Sequence, residues 1–137
     1  LDIGCGCGTN GVFAAQRSGA EGHITFVDSN VRAVALADLN ARANGVSAYQ
    51  TTASSRVEGL EAGCFDVVLA NPPYYANTAI ARLFIARSRE LLKPEGRFYL
   101  VTKQVEEIAD LMMETFEHVE ATMHRGYTIL SNTETIP

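Results

Sequence analysis

The feature that most constrains this chain lies at its start. Leu1-Asp2-Ile3 is a short apolar run that breaks into glycines at every second position, Gly4-Cys5-Gly6-Cys7-Gly8. Alternate glycines let a backbone turn sharply and come close to a ligand. The residues from Gly11 to Ser18 read as a helix, with Val12, Phe13 and Ala15 apolar. A strand that passes through a glycine turn into a helix directs free backbone N–H groups at whatever lies beyond the strand's carboxyl end.

The rest of the chain repeats that alternation. His23–Val27 reads as a second strand ending at Asp28, and Asn30 as the N-cap of a helix over Val31–Ala43. Val31, Val34, Ala35 and Leu39 give that helix its apolar period, and Asn44-Gly45 ends it. Ala48–Thr52 and Phe65–Ala70 are the next strands, and Ala79–Leu92 is a helix with Ile80, Leu83, Phe84 and Leu91 on one face. Lys93-Pro94-Glu95-Gly96 reads as a turn, Arg97–Thr102 as a fifth strand and Val105–Phe116 as a helix. His118–Met123 and Tyr127–Ser131 close the chain, too near each other for a crossover helix and so antiparallel. The expected fold is α/β and Rossmann-like: a mostly parallel seven-stranded sheet with an antiparallel C-terminal pair and helices on both faces.

Composition sets limits around that reading. One domain of 137 residues, 47% hydrophobic and 20% charged, can bury a core without staples. No apolar run approaches the roughly 20 residues of a membrane helix. Cys5, Cys7 and Cys64 are odd in number and form no CxxC, which points to a reducing cytoplasm and away from disulfides or a metal. His23, His118 and His124 read as structural. The net charge of −5 argues against a binder held by phosphate contacts alone. Charge is uneven, however. Arg82, Arg87, Arg89, Lys93, Arg97 and Lys103 fall in one stretch, and six acids without Lys or Arg follow over Gln104–Glu120. Solvated helix faces or a local phosphate-contacting patch both fit. The start inside a strand, without a methionine, leads us to expect a longer protein with a segment upstream.

Gly6-Cys7-Gly8-Thr9-Asn10-Gly11 matches the GxGxxG dinucleotide fingerprint, and Asp28 lies where a ribose-binding acid belongs. Asp2 favours another ligand, because an acid two residues before the first glycine repels a pyrophosphate and suits an amino group with a sulfonium cation. LDIGCGCG resembles the first motif of class I S-adenosylmethionine-dependent methyltransferases. That resemblance implies a cofactor held by Asp2, Gly4, Cys5, Gly6, Gly8 and Asn10 at the turn. It adds Asp28 and Ser29 after the second strand, Ser54 and Ser55 after the third, and Asn71 after the fourth.

The fourth strand ends in Asn71-Pro72-Pro73-Tyr74. Two prolines make a rigid stop and offer no N–H, so the loop presents acceptors without competing donors. An amide oxygen and a carbonyl aimed at one point can hold an –NH2 group by both hydrogens, and a tyrosine ring can stack on a planar group. The motif resembles [N/D]PP[Y/F/W] of amino-group methyltransferases acting on adenine, guanine or glutamine amides. The resemblance makes Asn71, Pro72, Pro73 and Tyr74 the catalytic set.

The gap of Tyr75-Ala76-Asn77-Thr78 before the next helix, ELLKPEGRFYLV, VTKQ and FEHVEATMHRGYTIL are similar to the methyltransferase small domain family, over essentially the whole chain. That family includes the small-subunit ribosomal RNA guanine-N2 methyltransferases, which implies ribosomal RNA or a ribosomal subunit as partner. Two departures stand out. The family's acid after the third strand is replaced by Ala53-Ser54-Ser55, which implies weaker cofactor binding, and Tyr74 is the choice typical of glutamine and adenine enzymes. A release-factor glutamine or an adenine target therefore stays open, as do a non-catalytic cofactor- or RNA-binding module and a dinucleotide oxidoreductase. Tyr74, with Tyr75, is expected to stack on an exposed base. The oligomeric state is open.

Overall fold

The computed structural model describes residues 1–74 and 78–132. It divides into two compact units, Leu1–Gly59 and Leu60 onward. The described residues hold seven strands and four helices in mostly alternating order, with β3–β4 and β6–β7 consecutive, the α/β class expected.

The first unit contains β1 (Asp2–Ile3), α1 (Thr9–Ser18), β2 (Ile24–Asp28), α2 (Val31–Ala43) and β3 (Tyr49–Ala53). Its strands are all parallel in the order β3-β2-β1, with Asp2 opposite Phe26 and Asp28 opposite Ala53. Phe26 is the centre of its core, fully buried and edge-on to Tyr49 at 6.1 Å. Gly11 lies against it: a Cβ there would stand 2.3 Å from the Phe26 ring, so this position tolerates only glycine without movement. Asn30 caps α2 as expected, its side chain accepting from the Arg32 N–H at 2.9 Å.

The inner face of α2 differs from the sequence expectation. Ala37 and Ala41 are buried, whereas Val31 and Leu39 are 68% and 60% exposed. The cause is close approach. A Cβ on Gly8 would stand 3.1–3.2 Å from Ala37 and Phe26, which leaves no room for a branched side chain on that side of the helix.

The second unit contains β4 (Phe65–Ala70), α3 (Ala79–Leu91), β5 (Leu92–Thr102), α4 (Val105–Met113), β6 (Glu120–His124) and β7 (Tyr127–Ser131). The strand order is β4-β5-β7-β6. β5 is parallel to β4, and β7 runs antiparallel to both β5 and β6. Phe98 stacks on Phe116 at 5.7 Å within a core that includes Leu100, Ile108, Met112 and Leu130. The buried face of α3 is Ala81, Phe84, Ile85, Ser88 and Leu91, so the apolar stripe is rotated from the Ile80/Leu83 face that periodicity suggested.

Lys93-Pro94-Glu95-Gly96 is not a free turn but lies inside β5. Phe65 pairs with Leu92 and Val67 with Arg97, so β5 carries extra residues against two steps of β4. The missing N–H of Pro94 costs little at such a bulge. Asn132 closes it, accepting from the Phe98 N–H at 2.8 Å and donating to the Gly96 carbonyl at 3.1 Å.

Candidate functional site

In the first unit the glycine turn is held by two carboxylates. Gly4, Gly6 and Gly8 all adopt positive φ, at 65°, 54° and 84°. At Gly8 and Gly6 that conformation reverses the chain between β1 and α1. The Gly6 N–H donates to Asp28 Oδ2 at 2.9 Å and the Asn30 N–H to Asp28 Oδ1 at 2.8 Å. Asp28 therefore ties the turn to the start of α2, and a carboxylate still has lone pairs for further donors.

Asp2 accepts from the Gly11 N–H through Oδ2 at 2.9 Å, and its Oδ1 is buried without a hydrogen-bond partner among the described residues. The residue is only 1% exposed. Burial pushes its carboxyl up to about 6, against the opposing pull of the Gly11 N–H. A buried, half-satisfied carboxylate beside a glycine turn is a strong acceptor for an amine or ammonium.

The remaining expected cofactor residues sort themselves by placement. The side chain of Cys5 packs into the core, and burial, followed by Asp2 and Asp28, pushes its thiol up to about 12. It is a protonated packing group, with only its backbone in the turn. Asn10, in the first turn of α1, and Ser29, after β2, are exposed. Ser54 organises the loop after β3, its hydroxyl accepting from the Arg56 and Glu58 N–H groups at 3.3 and 3.0 Å, while Ser55 is exposed. Sequence reading missed Asn40, which donates from α2 to the Cys7 carbonyl at 2.8 Å and fixes the outer limb of the turn. Its signal was a polar residue one position from an apolar stripe, too weak to notice.

In the second unit Asn71, Pro72, Pro73 and Tyr74 follow β4 directly. Pro72 is buried and Pro73 half-buried, so the rings anchor the loop. Asn71 is exposed and Tyr74 is 40% exposed. Tyr75 lies outside the described residues. The arginine-rich stretch is partly neutralised within its own unit. Arg82 pairs with Glu114 at 2.8 Å, Lys93 with Asp66 at 2.7 Å and Arg87 with Glu90. Solvated, paired faces describe those three better than a phosphate patch does. Among the described residues no three His, Cys, Asp or Glu side chains gather as a metal site, and no helix is long and apolar enough to cross a membrane.

Comparison with known proteins identifies the family. The family model described as "Methyltransferase small domain" matches residues 1–131. The ribosomal RNA small subunit methyltransferase C of Shewanella loihica is 30% identical over 96% of this chain. The ribosomal RNA large subunit methyltransferase G of Photobacterium profundum is 30% identical over 88% of it. The chain spans 39% and 33% of the length of those two relatives. Among solved structures, a 16S rRNA N2 methyltransferase of T. thermophilus, in complex with AdoMet and guanosine, superposes with a TM-score of 0.83. It is 25% identical and covers 96% of this chain, which covers 36% of that one. The chain belongs to the methyltransferase small domain family.

Proposed function

We propose that this chain is the methyl-transferring domain of an S-adenosylmethionine-dependent enzyme acting on an exocyclic amine, most specifically guanine-N2 of ribosomal RNA, in the cytoplasm. The observation that carries the reading is the pairing of two motifs with different chemistry: a glycine turn held by Asp2 and Asp28, and an exposed Asn71 behind two anchored prolines. The small- and large-subunit ribosomal RNA relatives and the guanosine-bound neighbour support the acceptor class.

The first unit fits the cofactor on two observations. Asp2 Oδ1 lacks a donor, which the amino group of a methionine moiety supplies. A Cβ on Gly6 would meet nothing within 4 Å among the described residues, which suits a ligand lying against backbone. Asp2, Gly4, Gly6 and Gly8 would hold the methionine end, and Asp28 the ribose hydroxyls, with Asn10, Ser29, Ser54 and Ser55 around the remainder. When bound, the cofactor supplies an electrophilic methyl group on a sulfonium.

The second unit's residues act on the amine. An exocyclic amine on a conjugated ring is a poor nucleophile because its lone pair is delocalised. The Asn71 side-chain oxygen and the Pro72 carbonyl accept its two hydrogens and draw the nitrogen toward tetrahedral geometry, while Tyr74 stacks on the ring. The nitrogen becomes acidic once methylated and releases its proton to water, so no strong base is needed. Positioning and electrostatics carry the rate.

The test is methyl transfer from labelled S-adenosylmethionine by the full-length protein, offered ribosomal subunits and cell protein side by side. Label removed by ribonuclease is the expected result. Label that survives ribonuclease and yields to protease moves the target to a glutamine amide. Stabilisation against heat by NAD and not by S-adenosylhomocysteine overturns the cofactor assignment.

A further inference from the structure

The paired arginines leave a question that the hairpin β6–β7 answers: what grips an acidic chain's RNA beside the target base. Resting on the RNA reading above, we propose that Lys103, Arg125 and Tyr127 form a contact for single-stranded RNA, which holds a nucleotide adjoining the target. β4 and β5 are parallel and both end at the same sheet edge, β4 in Asn71-Pro72-Pro73-Tyr74 and β5 in Thr102-Lys103. β7 is antiparallel to β5 with Thr128 opposite Thr102, so Tyr127 and the tip of the hairpin share that edge. Two strand spacings, about 10 Å, separate β4 from β7.

At that edge the chemistry is aromatic and cationic. The Lys103 ammonium lies 4.6 Å from the centre of the Tyr127 ring, and Tyr127 is 41% exposed. Among the described residues Lys103 has no carboxylate partner comparable to those of Arg82 and Lys93. It lies between Thr102 and Gln104, whose N–H donates to the buried Thr102 hydroxyl at 2.9 Å. Arg125 and Gly126 form the two-residue tip between the paired His124 and Tyr127. Both have positive φ, 50° and 80°, a geometry for which asparagine–glycine is the favoured pair. An arginine there sacrifices local stability for a cation at the tip. The acids nearest Lys103 along the chain, Glu106 and Glu107, lie beyond Gln104 in the first turn of α4, and Glu120 stands at the far end of β6 from the Arg125–Gly126 tip. An exposed ring with two cations matches a base and its flanking phosphates, because every base has a face to stack and every linkage a charge.

The test measures binding of a fluorescein-labelled single-stranded oligoribonucleotide containing one guanine to the full-length protein, across a salt series. Tyr127→Ala should weaken binding about tenfold, and Tyr127→Phe, which keeps the ring, about twofold at most. Lys103→Gln should lower the slope of log affinity against log salt by roughly one contact. Arg125→Asn should weaken binding while leaving the melting temperature equal or higher, which separates ligand contact from folding. Wild-type binding in Lys103→Gln, Arg125→Asn and Tyr127→Ala, with loss in Tyr74→Ala, overturns this contact and leaves the acceptor reading standing. A wild-type protein that binds no oligoribonucleotide and labels only protein overturns both.

Discussion

At the glycine turn three backbone N–H groups, of Gly6, Gly11 and Asn30, donate to two carboxylates. At Asn71–Tyr74 the chain is held by two rings, one buried and one half-buried, that carry no N–H at all. The first region is rigid because those three N–H groups are satisfied, and a ligand there meets carboxylates that already shape the backbone, Asp2 keeping Oδ1 open among the described residues. The second is rigid by covalent geometry, which needs no hydrogen bond to hold its shape. Binding and chemistry should therefore separate under mutation: changes at the turn alter fold and cofactor affinity together, and changes at Asn71 alter turnover alone.

The sharpest break is Asn71→Ala. Turnover should fall about 100-fold or more, the loss typical of a group that stabilises only the transition state. Cofactor affinity by calorimetry should change little; a matching loss of affinity would place Asn71 in the cofactor site instead. Tyr74→Ala should come next, with turnover down about tenfold from lost stacking and near-normal cofactor binding. Near-normal turnover would remove the stacking role.

On the other side of the comparison, Asp2 gives a pH signature. Its folded value is raised from 3.8 to about 6, so the native state binds the extra proton between those values. The ligand-free fold should gain up to about 3 kcal/mol relative to Asp2→Asn as the pH falls from 7 to 4, since burial of the charged form is relieved. Cofactor affinity should move the opposite way, falling up to about tenfold per pH unit below 6 because the ligand's ammonium prefers the carboxylate. A pH-independent affinity would disconnect Asp2 from the ligand. Gly11→Ala should cost about 1–3 kcal/mol in chemical denaturation, given the Phe26 ring in its way. The smallest effect is Ser55→Asp, which should tighten cofactor binding a few-fold if this position meets the adenine amine; unchanged affinity would count against that contact.

Much of this was legible in the sequence because it is local. Turns need glycine, rigid stops need proline and helix starts need caps, so the β1–α1 turn, Asp28, Asn30 and the NPPY stop could be read from neighbours in the chain. The buried faces were not. Periodicity put Val31 and Leu39 inside, but Gly8 brings β1's turn so near α2 that only Ala37 and Ala41 fit. Nor could spacing show that Lys93–Gly96 is a bulge, because Asn132, 36 residues beyond Gly96, is what closes it.

The sequence by itself determined the class of fold and the positions of both motifs, and with them the chemistry proposed for each. Only the tertiary structure decided which charges are spent. Arg82 and Lys93 find carboxylates 32 and 27 residues away, while Lys103 finds a tyrosine ring. Backbone propensities act between neighbours, whereas a charge is neutralised by whatever the fold brings within a few ångströms, and no local pattern records that.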